Sequence, residues 1–233
     1  MNNILEKYLQ EEVNSRMMIS RLDLKNRHLH PYFPTIVLDN FFEAPDLVRS
    51  WALDQEFFKG ERGTWPGLRS ELLHTSNLEL YNLLIRKLFQ EIKEYGVNEM
   101  YDMQTGFQLI DETWGTGWVH DDDPKLHVAG VIYLSPDAPV ESGTTLYADN
   151  IDFDGDKYSK IFMEDVFSAE KERSKFAKYR LEQRSHFSPT IRIGNVYNRC
   201  IIFDTRNWHS ADNFFGTCKE DTRLTNVFFF KVR

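Results

Sequence analysis

From residue 104 onward the chain is punctuated by short runs of β-branched and aromatic residues, and that pattern limits the fold more than any other feature. The runs fall at Gly106–Ile110, Val128–Leu134, Thr144–Tyr147, Thr190–Ile193, Cys200–Phe203 and Leu224–Val232, and they read as strands. The residues before them read differently. Ile4, Leu5, Tyr8, Leu9, Val13 and Met17 recur at helical spacing. "TIVLDNFF" (Thr35–Phe42) looks like a strand, and "APDLVRSWALDQEFF" after it like a helix, with Pro45 in the first turn and Val48, Trp51 and Ala52 on one face. The clearest helix is "SNLELYNLLIRKLFQEIKEYG". There Ser76 and Glu79 suit a capping box, Leu84, Leu88 and Ile92 make an apolar stripe, and Gly96 ends it.

These elements predict an α+β chain, mainly β, folded as a single domain over residues 1–233. Residues 1–103 form a mainly helical scaffold and residues 104–233 a barrel or sandwich core. A charged segment at about 154–184 interrupts the strand order and reads as a helical insertion. Its Ile161, Phe162, Val166, Phe167, Phe176 and Tyr179 form an apolar edge amid Lys and Glu. An insertion of this length is either a lid over a functional mouth or a surface helix remote from it.

Composition narrows the class. At 41% hydrophobic and 27% charged residues, 233 residues can bury a sizeable core. The 14% aromatic share, with 18 Phe, calls for a ring-rich core or an aromatic-lined pocket. A formal net charge of -8 offers no basic footprint and argues against nucleic acid or an anionic membrane as partner. Two cysteines, Cys200 and Cys218, make neither a disulfide framework nor a CxxC site. The amino terminus lacks the apolar core of a signal peptide, and no run of about 18 apolar residues occurs. The expectation is a soluble cytoplasmic protein; the oligomeric state is left open.

One stretch carries chemistry. In "TGWVHDDDPKLHVAGVIYLSP" (Thr116–Pro136), His120 and Asp122 stand two apart and project to one side of an extended segment, while Asp121 and Asp123 face the other way. Asp121 is therefore expected to be dispensable. Far along the chain, "CIIFDTRNWHSADNFFG" places His209 just past an apolar strand. Two histidines and one carboxylate on one face leave coordination positions open, the pattern of non-haem Fe(II) sites. HxD alone is a weak signal, and a third segment strengthens it. In "DTRLTNVFFFKV", Arg223 and Thr225 lie on one side of an apolar terminal strand. A buried guanidinium with no acid nearby in its own strand needs an anionic partner, and a ligand carboxylate is a natural one.

Together "HDD" at 120–122, "GVIYLSP", "SGTTLY", "CIIFDTRNWH" and "RLTNVFFF" resemble, in order and spacing, the Fe(II)/2-oxoglutarate-dependent dioxygenase superfamily, nearest to its prolyl-4-hydroxylase-like branch. The resemblance covers roughly residues 104–233. It implies a double-stranded β-helix, a jelly-roll barrel of the cupin kind. It also implies Fe(II) held by His120, Asp122 and His209, and 2-oxoglutarate held through its distal carboxylate by Arg223, helped by Thr225 and Tyr133. O2 would be the co-substrate, with succinate and CO2 released. The carboxylate at position 122 favours hydroxylation over halogenation. The substrate stays open among a peptidyl side chain, a free amino acid and another small metabolite. Arg223 stands further past His209 than in the prolyl-hydroxylase pattern. "RLTN" is also similar to nucleic-acid demethylases of the AlkB type, but the second arginine of their pattern is absent and Phe229 and Phe230 stand there. A barrel that binds without turnover is the reading from another class.

Gln108, Trp114 and Trp118 precede or adjoin the HxD and are candidates for the substrate pocket. "TWPGLRS" (Thr64–Ser70) is a Pro-Gly turn that carries Arg69 and could cover the site. His127 is expected outside the metal shell, and His28, His30, His74 and His186 show no ligand spacing. "DFDGD" (Asp152–Asp156) lacks the calcium-loop order, with Met163 where the closing Glu belongs.

Overall fold

The structure, a computed structural model, describes residues 33–59, 65–123, 125–148, 155–168 and 170–233. The expected N-terminal helix, His28, His30 and most of the "DFDGD" turn lie outside the described residues. Strands β1 (Ile36–Leu38), β2 (Leu68–Arg69), β3 (Met100–Ile110), β4 (Val128–Tyr133), β7 (Cys200–Asp204) and β9 (Arg223–Val232) form one antiparallel sheet in the order β1-β7-β4-β9-β3-β2. Strands β5 (Thr144–Ala148), β6 (Ser188–Ile193) and β8 (Trp208–Ala211) form a second, ordered β6-β5-β8. The six expected strands fall where the β-branched runs lie. The two antiparallel sheets interleave along the chain in jelly-roll order, with several helices around them.

Side chains alternate across the larger sheet. On β9, Leu224, Phe228 and Phe230 face one way with Val128 and Ile132 of β4 and Ile202 of β7. The helices α1 (Pro45–Leu53) and α3 (Leu78–Ile92) cover that face, α3 contributing fully buried Leu84, Leu88 and Ile92. Burying each of these is worth roughly 1.5–3 kcal/mol. The opposite face carries Ala129, Tyr133, Ile201 and Phe203, which meet Leu146 and Ile193 of the smaller sheet. Gly130 sits at the crossing. A Cβ there would lie 2.2 Å from the Ile201 carbonyl oxygen and 2.3 Å from the Phe228 ring, so only glycine lets three strands and that ring close up.

One local expectation is corrected and another extended. The cap of α3 is Asn77, whose side chain accepts from the Leu80 amide at 3.0 Å. Ser76 instead closes the preceding short helix α2 (Leu73–Ser76), its hydroxyl donating to the Leu72 carbonyl, so no Ser76–Glu79 box forms. His209 lies past the end of β7, as expected, yet inside a further strand, β8, which the sequence reading missed because its four residues alternate too briefly to register.

The insertion is helical, as expected. It comprises α4 (Gly155–Val166), a 3-10 segment (Glu170–Phe176) and α5 (Ala177–Ser185). Ile161, Phe162 and Tyr179 pack with Tyr158 onto Trp118, Val119 and Trp208, while Phe167 is 47% exposed. Among the described residues no helix is long and apolar enough to cross a membrane.

Candidate metal centre

The centre begins with a backbone bridge. The His120 amide donates to the His209 carbonyl at 3.0 Å and the His209 amide to the His120 carbonyl at 2.7 Å. Two histidines far apart in sequence thus become direct cross-strand neighbours, with ring centroids 4.4 Å apart. Each ring is also oriented by its own chain. Nδ1 of His120 lies 3.0 Å from the Trp118 carbonyl, and Nδ1 of His209 lies 2.9 Å from the Asn207 carbonyl. A carbonyl only accepts, so Nδ1 carries the proton in both rings and Nε2 is left with a lone pair. The Asp122 amide donates to the Thr205 carbonyl at 3.0 Å, which holds the carboxylate against the same pair. Its Oδ2 is 3.6 Å from Nε2 of His209.

One donor atom from each of His120, Asp122 and His209 can be chosen so that all three lie within 4.8 Å of one another. Metal–ligand bonds of about 2.1 Å put neighbouring ligands about 3 Å apart, so the cluster fits a first-row divalent ion after small adjustments. Burial and the nearby His120 ring push the pKa of His209 down to about 3, which keeps the imidazole neutral and able to ligate.

Asp121 does not behave as expected. It is only 6% exposed, so its side chain is no solvated turn residue and Asp121→Ala is not a silent control. His127 lies outside the cluster as expected. Its Nδ1 sits 3.1 Å from both the amide and the carbonyl of Val232.

The donor atoms open into a cavity of about 830 Å³. Arg223 forms part of its wall, as do Gln108, Trp114 and Trp118. Arg223 is 3% exposed. Its Nε donates to the Ser142 carbonyl at 3.3 Å, and its guanidinium lies between the Tyr133 ring at 5.5 Å and the Phe214 ring at 5.8 Å. Burial lowers its pKa, and the Asp212 charge opposes that shift. Asp212 itself is ion-paired to Arg184 at 3.0 Å. Among the described residues no carboxylate comes within salt-bridge distance of Arg223. Thr225 shares its face of β9 and is fully buried, its hydroxyl without a hydrogen-bond partner. Tyr133 and Thr225 do not form the cavity wall. The Tyr133 hydroxyl donates to Thr144 Oγ1 at 2.8 Å, and Thr144 reaches the cavity in its place.

The insertion closes one side of the cavity with Ser159, Phe162 and Met163 of α4. Its second helix performs a task the sequence reading missed. Gln183 accepts from the Val119 amide at 3.0 Å and donates to the Val119 carbonyl at 2.7 Å. Arg184 donates to the carbonyls of Gly117 and Ala211 and to Ser210 Oγ, tying the two ligand-bearing segments together. Arg180 donates to the Trp114 carbonyl and pairs with buried Asp165, which accepts from the Trp118 indole at 2.7 Å. Arg180, Gln183 and Arg184 stand three and four apart, one face of a helix. That inward polar stripe was the available signal.

Solved structures with this architecture include HygX from Streptomyces hygroscopicus with nickel and 2-oxoglutarate bound. It is 14% identical, covers 90% of this chain and 87% of that one, and has a TM-score of 0.52. The same protein with hygromycin B also bound matches at 13% identity, equal coverage and a TM-score of 0.52. A prolyl hydroxylase from Trichoplax adhaerens, in complex with a hypoxia inducible factor oxygen degradation domain peptide fragment, is 10% identical over 97% of this chain and 92% of that one, with a TM-score of 0.50. The fold is that of the Fe(II)/2-oxoglutarate-dependent oxygenases, in agreement with the sequence resemblance. Within that architecture the chain belongs to DUF6445, a family of unknown function whose model matches residues 20–230. No functionally curated protein matches the sequence.

Proposed function

We propose that this protein is an Fe(II)- and 2-oxoglutarate-dependent oxygenase that hydroxylates a small molecule or peptide side chain. The observation that carries the reading is the pairing, in one cavity, of a His-Asp-His donor set with a buried arginine that has no acid of its own among the described residues. HygX binds nickel and 2-oxoglutarate on the same fold, which supports the assignment. His120, Asp122 and His209 would hold the iron, whose bound state supplies the oxidising chemistry with O2 and 2-oxoglutarate. The chain's own residues do the rest. The Trp118 and Asn207 carbonyls keep both imidazoles in the ligating tautomer. Arg223 would receive the distal carboxylate, satisfying a buried cation at the cavity wall, with Thr144 beside it. Phe162, Met163 and Trp118 exclude water from the mouth.

The test is binding rather than turnover. Anaerobic Fe(II) titration of the parent should show one site, and 2-oxoglutarate should then bind with the charge-transfer absorbance of a chelated 2-oxo acid. His209→Ala should abolish the first and Arg223→Ala should weaken the second. A parent that takes up no Fe(II) or no 2-oxoglutarate would refute the reading.

A further inference from the structure

Arg69 stands apart from the other arginines turned into this molecule. Arg180 has Asp165, Arg206 has Asp204, Arg184 has Asp212 and Arg173 has Asp111. Arg223 faces the place assigned above to the co-substrate. Arg69 lines the same cavity as His120, Asp122 and His209, yet among the described residues no carboxylate lies within salt-bridge distance of it, and its buried Nε has no hydrogen-bond partner. The face of its guanidinium rests on the Trp65 ring, 4.1 Å from the centroid. Stacking of this kind covers the plane and leaves the N–H edge to meet an acceptor.

The backbone holds this residue in place. Arg69 exchanges two hydrogen bonds of 3.0 Å with Phe58 on one side and pairs in register with Gln108 of β3 on the other. The turn that delivers it needs Gly67, at φ 76, where a Cβ would fall 2.1 Å from the Leu109 carbonyl oxygen. Gln108 Nε2 donates to the Pro66 carbonyl at 2.8 Å and pins the same turn. A cation fixed so firmly at a cavity wall is pre-organised for a ligand.

Its electrostatics agree. Burial pushes the Arg69 pKa down to about 10, and the Asp122 charge opposes that shift. Once Asp122 is committed to a metal, no acid among the described residues is left as Arg69's own ion-pair partner.

We propose that Arg69 is a specificity-determining residue that pairs with a carboxylate on the substrate. The inference rests on the oxygenase reading and adds the substrate class to it: a small carboxylic acid, with an apolar body against Trp65, Trp114 and Phe162. A phosphate dianion fits less well, because Asp121, Asp122 and Asp123 line the same mouth. The planar two-oxygen carboxylate matches the free edge of the guanidinium.

The probes are benzoate, its neutral isostere benzamide, and phenylphosphate. Each is titrated by ligand-observed NMR into protein loaded with Ni(II) and 2-oxoglutarate, so that the Arg223 position is filled. The parent should bind benzoate more tightly than benzamide or phenylphosphate, by at least about tenfold over benzamide, the scale of a charge-assisted pair. Arg69→Gln should erase that preference, and Arg69→Lys, which keeps the charge and loses the fork, should reduce it at least about threefold. Raising 2-oxoglutarate about tenfold beyond saturation should leave it in place. No preference in the parent overturns the proposal, and so does a preference undiminished in Arg69→Gln or, should that variant not fold, in Arg69→Lys. Tighter phenylphosphate binding overturns the carboxylate assignment. A preference that falls as 2-oxoglutarate is raised places the anion in the co-substrate position and overturns it too. Failure of 2-oxoglutarate to bind the metal-loaded parent refutes the oxygenase reading separately, because that binding is read before any probe is added.

Discussion

Gln183 offers the sharpest perturbation away from the donor atoms. Its amide satisfies both backbone groups of Val119, the residue before His120, and both side chains are essentially buried, Gln183 at 1% and Val119 at 0% exposure. Gln183→Ala leaves a buried N–H and a buried C=O without their partner. Each orphan costs about 1–3 kcal/mol, so the pair costs roughly 2–6 kcal/mol. That is a large fraction of the roughly 5–15 kcal/mol that holds an ordinary domain together. Loss of the tether also frees the segment that orients His120, and disturbed supports of this kind weaken metal affinity about 10- to 100-fold. Urea denaturation of the apo protein and competitive Ni(II) titration measure the two effects independently. Gln183→Glu refines the test. Its ionised carboxylate still accepts from the Val119 amide but turns an acceptor toward the Val119 carbonyl. Protonation restores the donor, so the folded-state pKa of this Glu lies above its unfolded value. The variant should therefore be close to the parent in stability at low pH and lose ground as pH rises through that folded pKa. A Gln183→Ala protein with the parent's denaturation midpoint and the parent's metal affinity would refute the tether.

Further outcomes follow from the same geometry. Arg223→Ala should weaken 2-oxoglutarate binding to the metal-loaded protein at least about thirtyfold, since truncating one partner of a buried charge pair costs on the order of 2–5 kcal/mol; isothermal titration calorimetry checks it. Asp122→Ala should abolish Fe(II) uptake with the fold retained, read by anaerobic titration beside far-UV circular dichroism. Gly130→Ala should destabilise the protein by about 1–3 kcal/mol or more, because the new methyl meets the Ile201 carbonyl and the Phe228 ring; a shift in the urea midpoint reports it.

Much of this molecule was legible in one dimension. Strand periodicity located β3, β4, β5, β6, β7 and β9, because the alternation of Leu224, Phe228 and Phe230 against Arg223, Thr225 and Val227 is a local property of an extended chain. The apolar stripe of α3 was readable for the same reason, and so was the shared side of His120 and Asp122. An arginine opening an apolar strand announced a buried charge that needs a partner.

Tertiary structure decided the rest, wherever a residue's meaning depends on what lies across from it. His209 gains its place from an isolated bridge to His120, on a segment distant in the chain, and β8 is too short to show itself without that pairing. Asp121 was expected to point away from the ligand face and be dispensable, yet the packed chain buries it. The insertion read as a helix with an aromatic edge, but its task resides in Gln183 and Arg184, polar residues whose partners are backbone groups of a remote loop. Arg69 was read in a Pro-Gly turn that could cover the site, but only the β2–β3 register carries it to the cavity wall. Side-chain periodicity is set by neighbours in sequence, whereas hydrogen-bond partners and cavities are set by register and packing between distant segments. The first was therefore written locally in the chain, and the second arose only when it closed on itself.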